Sequence, residues 1–147
     1  MDADLELDHQ LCFALYAAAR VTQGAYRSVL GELDLTYPQY LVLLALWDHD
    51  GLGVRELGER LHLDSGTLSP LLGRMESRGV VTRRRDQADA RRVTVHLTDE
   101  GHGLRSAAGD IQRCLGERVH LSSEEIHMLH DLATRLVANA TPEGEAR

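Results

Sequence analysis

Lysine is absent from the chain, so all sixteen of its strongly basic residues are arginine. Aromatic residues are scarce: one Trp, one Phe and four Tyr among 147 residues, a composition that suits a helical protein. The only cysteines, Cys12 and Cys114, stand about a hundred positions apart. That is neither a disulfide framework nor zinc-finger spacing, so each has to be judged singly. No apolar run is long enough to span a bilayer and no signal peptide opens the chain, so a cytoplasmic location is expected. HExxH, a glycine-rich phosphate loop and a locally supported Ser-His-Asp pattern are all missing. No enzyme and no cofactor are therefore expected. Eight histidines are present. His127 and His130 share a helix face with Glu124, but histidines scattered over an arginine-only chain favour solvated or capping roles, and no metal is expected.

What is present is organised around Val54 to Thr98. Leu57 and Leu61 lie four apart, as do Leu68 and Leu72, with Leu71 and Met75 continuing the second stripe. That is the spacing of two helices each burying one face. Gly79 is placed to end the second helix, and Val80-Val81-Thr82 opens a strand. Val93, Val95 and Leu97 alternate with Thr94 and His96, the period of a half-buried strand. Between the strands fall Arg83, Arg84, Arg85, Arg91 and Arg92. Helix, tight turn, helix and hairpin is the order of a winged helix-turn-helix, whose second helix enters the DNA major groove.

Charge sets this segment apart. Arg55 to Leu97 holds nine arginines against six acidic residues, a balance of +3; inside a chain of −7 that leaves −10 for the rest. A basic hairpin beside a helix-turn-helix in an acidic protein points to nucleic acid. The expected base contacts are Ser65, Thr67, Ser69 and Arg74, with the wing arginines supplying phosphate and minor-groove contacts. Asp89 can close the wing turn on Arg91, aim it at DNA, or both. Two starts compete for the recognition helix. Ser69-Pro70 would make a late cap; Asp64-Ser65 gives the usual short turn after Leu61 and is preferred, leaving Pro70 as an interior irregularity.

The flanks read as helices. Residues 6–31 form one long helix with two apolar rows, the second running Cys12, Tyr16, Ala19, Gln23, Tyr26 and Leu30. Two rows exceed what one small domain covers, which implies a homodimer. Thr36 and Gln39 make a capping box around Pro38 for the next helix, whose LVLLALW centre is apolar nearly all round. Asp48 to Gly53 reads as a polar link. Thr98 caps a single helix running to Val119, and Ser122 with Glu125 caps the last one. A frayed start to Asp4 and a disordered tail from Thr141 complete the chain. The expected fold is one domain over residues 1–147, mainly α with a small β-hairpin wing, in the order α-α-α-α-β-β-α-α. Residues 54–98 form the DNA reader, and residues 6–31 and 99–140 the dimerisation helices.

Asp89-Ala90-Arg91-Arg92 followed by Val93-Thr94-Val95-His96-Leu97-Thr98-Asp99-Glu100-Gly101 resembles the wing and helix-start signature of the MarR family of dimeric winged-helix regulators. Leu11 to Tyr16, Leu35 to Val42, Leu57 to Leu61 and Leu63 to Leu68 resemble, more narrowly, the organic hydroperoxide resistance regulators of that family. The resemblance implies that Cys12 senses organic hydroperoxide. It implies that Tyr26 and Tyr37 of the partner subunit stabilise the thiolate, and that oxidation releases a repressor from a near-palindromic double-stranded operator. It also offers Cys114 as a resolving thiol, with the bridge expected between subunits. Cys12 and Tyr26 are fourteen residues apart on one helix, roughly 21 Å, so they can meet only across a partner helix. Two other classes compete: a repressor relieved by a small aromatic ligand, with Cys12 inert, and a thiol peroxidase, which leaves the winged helix unexplained.

Overall fold

The computed structural model describes residues 5–140, so the frayed start and the tail expected at the two termini lie outside the described residues. Helix α1 (Leu11–Glu32) is followed by α2 (Tyr37–Asp48), strand β1 (Leu52–Gly53), α3 (Val54–Leu61) and α4 (Ser65–Arg78). The hairpin β2 (Val81–Arg85) and β3 (Val93–Leu97) leads to α5 (Asp99–Gly103), α6 (Ala108–Val119) and α7 (Ser123–Ala140). No described helix is long and apolar enough to cross a membrane.

Local capping explains where most helices begin. The Thr36 side chain accepts from the Gln39 N–H while Gln39 Oε1 accepts from the Thr36 N–H, a complete capping box with Pro38 in the first turn. Asp64 caps α4 by accepting from the Thr67 N–H at 2.9 Å. The early start of the recognition helix is therefore the one adopted, and Pro70 sits inside α4. Thr98 accepts from the Gly101 N–H, and Ser122 and Glu125 cap α7 reciprocally. Gly79 ends α4 at φ +84°, a left-handed conformation that glycine adopts without strain.

The core gathers where α2 meets the reader. Tyr40, Val42, Leu43 and Leu46 of α2 pack with Leu57, Leu68, Leu72 and Met75, and the sheet closes the cluster with Val81 and Val95. Truncating Leu72, which is fully buried, removes contacts on every side and costs about 2–5 kcal/mol.

Four sequence expectations are corrected. First, the long helix does not begin at residue 6. A short 3-10 turn (Leu7–His9) and an extended Gln10 precede α1; Leu7 is exposed in the single chain, and propensity alone does not hold a helix end. Second, the link after α2 contains β1, whose Leu52 pairs with Val95 and Gly53 with Thr94. The sheet has three strands in the order β1-β3-β2, and the element order gains a strand between α2 and α3. Third, Arg83, Arg84 and Arg85 lie within β2, opposite Val95, Thr94 and Val93, rather than between the strands. Fourth, the helix expected from Thr98 to Val119 is broken by a 3-10 segment (Leu104–Ala107). Gly101, Gly103 and Gly109 weaken helix there. Gly101 is required in place: a Cβ on it would come within 2.2 Å of the Val80 carbonyl oxygen.

Candidate functional site

The candidate DNA-facing surface is built from α4 and the hairpin. Leu68, Leu71, Leu72 and Met75 bury one face of α4, which turns Ser65, Thr67, Ser69 and Arg74 outward, all exposed. Thr67 is partly committed, since its Oγ1 donates to Asp64 Oδ2 at 3.1 Å. The backbone and side chain of Thr67 together hold the Asp64 carboxyl below the usual carboxylate range.

The wing turn is shaped by acids accepting from its own backbone. Asp86 Oδ1 accepts from the Ala88 N–H at 2.8 Å, and Asp89 Oδ1 from the Arg91 N–H at 3.0 Å. Asp89 thus closes the turn, and its carboxylate also lies 3.6 Å from Arg91 Nε. The Arg91 side chain remains 95% exposed, held at the wing tip with its charge in solvent. Arg84, Arg85 and Arg92 are exposed as well. Arg83 differs: its guanidinium donates to Glu76 of α4. Between α3, the start of α4 and the wing lies an open cleft of about 1480 Å³.

The thiol and phenol residues occupy opposite ends of α1. Cys12 is the second residue of the helix and exposed. At that position the first-turn N–H groups have no intrahelical acceptor, and Gln10 provides no side-chain cap. Tyr26, buried, lies two turns before the other end. Its ring sits 5.0 Å from that of Tyr37 and 5.9 Å from that of Tyr40. Burial, then the neighbouring Tyr37 and Tyr40, pushes the Tyr26 phenol up to about 12, so it remains an O–H donor. Burial raises Tyr37 too. The fold therefore brings the two candidate phenols together within one chain and leaves Cys12 roughly 21 Å away along the helix.

Cys114 is half-buried on α6, which packs on α1. Two bonds anchor α6 on either side of it: Gln112 Nε2 donates to Tyr40 Oη at 3.2 Å, and Arg118 Nη1 donates to the Ala25 carbonyl at 3.4 Å. Both anchors sit at the phenol end of α1. Among the described residues no group of three His, Cys, Asp or Glu side chains is arranged to hold a metal. His127 contacts the Ser123 carbonyl and His130 contacts Asp131. Glu76, Tyr40 and Gln112 escaped the sequence reading, because each acts through a partner on another element.

An exposed second helix of a helix-turn-helix, flanked by a wing carrying exposed arginines, defines a class: DNA-binding transcriptional regulators. Comparison with known proteins agrees. A family model described as transcriptional regulator SarA/Rot matches residues 25–107. The regulator TtmR of Methylorubrum extorquens is 50% identical over 130 residues, spanning 88% of this chain and 67% of that protein. The organic hydroperoxide resistance transcriptional regulator of Bacillus subtilis is 45% identical over 125 residues, 85% of each chain. The solved structure of reduced AbfR bound to DNA superposes with a TM-score of 0.74 at 33% identity, covering 90% of this chain and 92% of that one. The chain belongs to the MarR/SarA-type family of winged-helix transcriptional regulators.

Proposed function

We propose that this regulator is a homodimeric repressor that releases its operator when Cys12 is oxidised by an organic hydroperoxide. One observation carries the reading. The adjacent Tyr26 and Tyr37, their phenols kept protonated by burial, form a ready pair of donors at one end of α1, and the exposed Cys12 begins the other end. An antiparallel partner helix brings each thiol to the other subunit's phenols.

The thiolate sulfur attacks the terminal oxygen of the hydroperoxide. The O–O bond breaks, and the alkoxide leaves and takes a proton to become the alcohol. Sulfur is oxidised to the sulfenic acid and the hydroperoxide is reduced. The thiolate of Cys114 then attacks the sulfenic sulfur, the S–O bond breaks, and hydroxide departs and takes a proton from solvent to become water as the disulfide forms. The anchors of α6 favour a bridge between subunits, since they hold Cys114 near the phenol end of α1, where a partner's Cys12 would arrive. Once sulfenylated, the sulfur no longer holds the phenols as a thiolate does, and the helices can shift. A disulfide, which requires its Cα atoms within about 7 Å, displaces α6 further and shifts the spacing of the two recognition helices.

The dimer itself is supported by uncovered apolar surface. Leu7 and Leu11, and on α7 Met128, Leu129, Leu132 and Val137, are exposed in the single chain. A second reading, relief by a small aromatic ligand, is favoured only by the open cleft beside the wing. The test is a gel shift on the DNA upstream of its own gene, with cumene hydroperoxide and separately with salicylate. Hydroperoxide should release wild type but not Cys12→Ser. Cys114→Ser should still respond, but lose the crosslinked dimer band on non-reducing electrophoresis. Release of Cys12→Ser by hydroperoxide, or release of wild type by salicylate alone, overturns the proposal. Loss of hydroperoxide should be stoichiometric with Cys12; catalytic turnover would instead mark a peroxidase.

A further inference from the structure

The guanidinium of Arg78 joins two helix ends. Arg78 is the last residue of α4, and it donates to the carbonyl oxygens of Leu33 and Asp34, the residues that terminate α1. The C-terminus of α1 presents its partial negative charge there, and one planar cation carried by the last residue of α4 answers it.

The joint that Arg78 grips is bracketed by the phenol pair. Tyr26 lies seven residues before Leu33 on α1, and Tyr37 lies three residues after Asp34 at the start of α2. The turn between them is stiff: the Leu33 and Leu35 N–H groups both donate to the Leu30 carbonyl, and the Asp34 N–H donates to that of Gly31. Asp34 adopts a left-handed conformation at φ +52°, and Leu30 and Leu35 are buried beside it. A displacement of either tyrosine is therefore delivered to the Leu33 and Asp34 carbonyls rather than absorbed in the turn. From there the route runs through Arg78 to the base of the recognition helix.

We infer that Arg78 is a positioning residue that couples the phenol pair to the seat of α4, so that oxidation at Cys12 is read out as a shift of the recognition helix. It touches neither the thiol nor the DNA-facing residues of α4; it acts through the end of α1. This rests on the sensing reading above.

The test measures operator affinity of the full-length protein before and after cumene hydroperoxide. It compares wild type, Arg78→Met, Arg78→Gln and Arg78→Lys, all carrying Cys114→Ser so that the sulfenic acid persists, with Cys12 sulfenylation followed by dimedone labelling and mass spectrometry. A coupling of ordinary size weakens wild-type affinity on oxidation by about 5–150-fold. Arg78→Met and Arg78→Gln should be sulfenylated as fully as wild type, yet lose most of that change, their oxidised and reduced affinities converging to within about twofold. Arg78→Lys, which keeps the charge without the fork, should fall between. A merely structural arginine would weaken both states alike and leave their ratio unchanged, and that result overturns the inference. Should Arg78→Met fail to fold, the Gln and Lys variants carry the comparison. Wild type that keeps its operator after full sulfenylation overturns the sensing reading and this inference with it. Wild type that releases while every Arg78 variant releases by the same factor overturns this inference alone.

Discussion

The carboxylate of Glu76 on α4 accepts three hydrogen bonds from Arg83 at the base of the wing: from the backbone N–H at 3.0 Å, from Nε at 3.0 Å and from Nη2 at 2.8 Å. Recognition helix and wing strand are thereby locked in register, and Arg83 spends its donors inside the protein. The arginines of the wing are not equivalent. Arg83 orients the wing, whereas Arg91 carries its charge at the tip.

The Arg83 backbone N–H, then its guanidinium, holds the Glu76 carboxyl below the usual glutamate range. A lowered value in the folded state means that the ionised form stabilises the fold above the ordinary range, and that this is lost as pH falls through the folded value. Glu76→Gln should therefore lower the melting temperature at neutral pH, and the gap from wild type should close in acid. Melting curves across the pH series check this; a gap constant with pH would mean that the ion pair contributes nothing.

Arg91→Ala should weaken operator binding and make its salt dependence shallower, by about one unit in the slope of log K against log salt if Arg91 reaches a phosphate. Arg83→Ala should leave that slope close to wild type. Fluorescence anisotropy over a salt series reads both slopes. Parallel lines for wild type and Arg91→Ala would remove the wing tip from the interface.

Tyr26→Phe and Tyr37→Phe should slow sulfenylation of Cys12. A hydrogen bond to a charged group is worth about 1.5–3 kcal/mol, so a tenfold fall or more for each is the expected scale. Rapid-quench labelling of the thiol measures it, and rates equal to wild type would detach the phenols from the thiol.

The same tyrosine predicts an alkaline signature. The Tyr26 phenol is raised from 10.0 to about 12 in the fold, chiefly by burial. A raised value means that its contribution to stability is complete below the ordinary tyrosine range and is lost as pH rises toward 12. Wild type should lose stability over that window more steeply than Tyr26→Phe, which has no proton to release there. Denaturant unfolding at graded alkaline pH would show it, and superimposable slopes would contradict it.

Leu129 and Leu132 on α7 are 50% and 49% exposed in the single chain. Placing glutamate at both should leave the chain folded, since exposed substitutions usually change stability by no more than about 0.5 kcal/mol. It should nevertheless yield monomers in sedimentation at micromolar concentration. A dimer unchanged by both charges would exclude α7 from the interface.

What the sequence by itself determined is what short-range chemistry determines. The capping box at Thr36, the cap at Asp64 and the reciprocal pair at Ser122 and Glu125 each join groups within one helical turn. The period of Val93, Val95 and Leu97 is likewise local. Recognition helix and wing were legible for that reason. The tertiary structure alone decided the rest. β1 exists because Leu52 finds Val95 more than forty residues away, and two residues carry no period of their own. The requirement for glycine at 101 follows from the approach of Val80, which a helical pattern does not reveal. Glu76 with Arg83, Arg78 with the end of α1, and Tyr26 with Tyr37 are pairings between elements. Their residues look like ordinary surface charges or core aromatics until packing sets their separation and burial decides which protons and charges they keep.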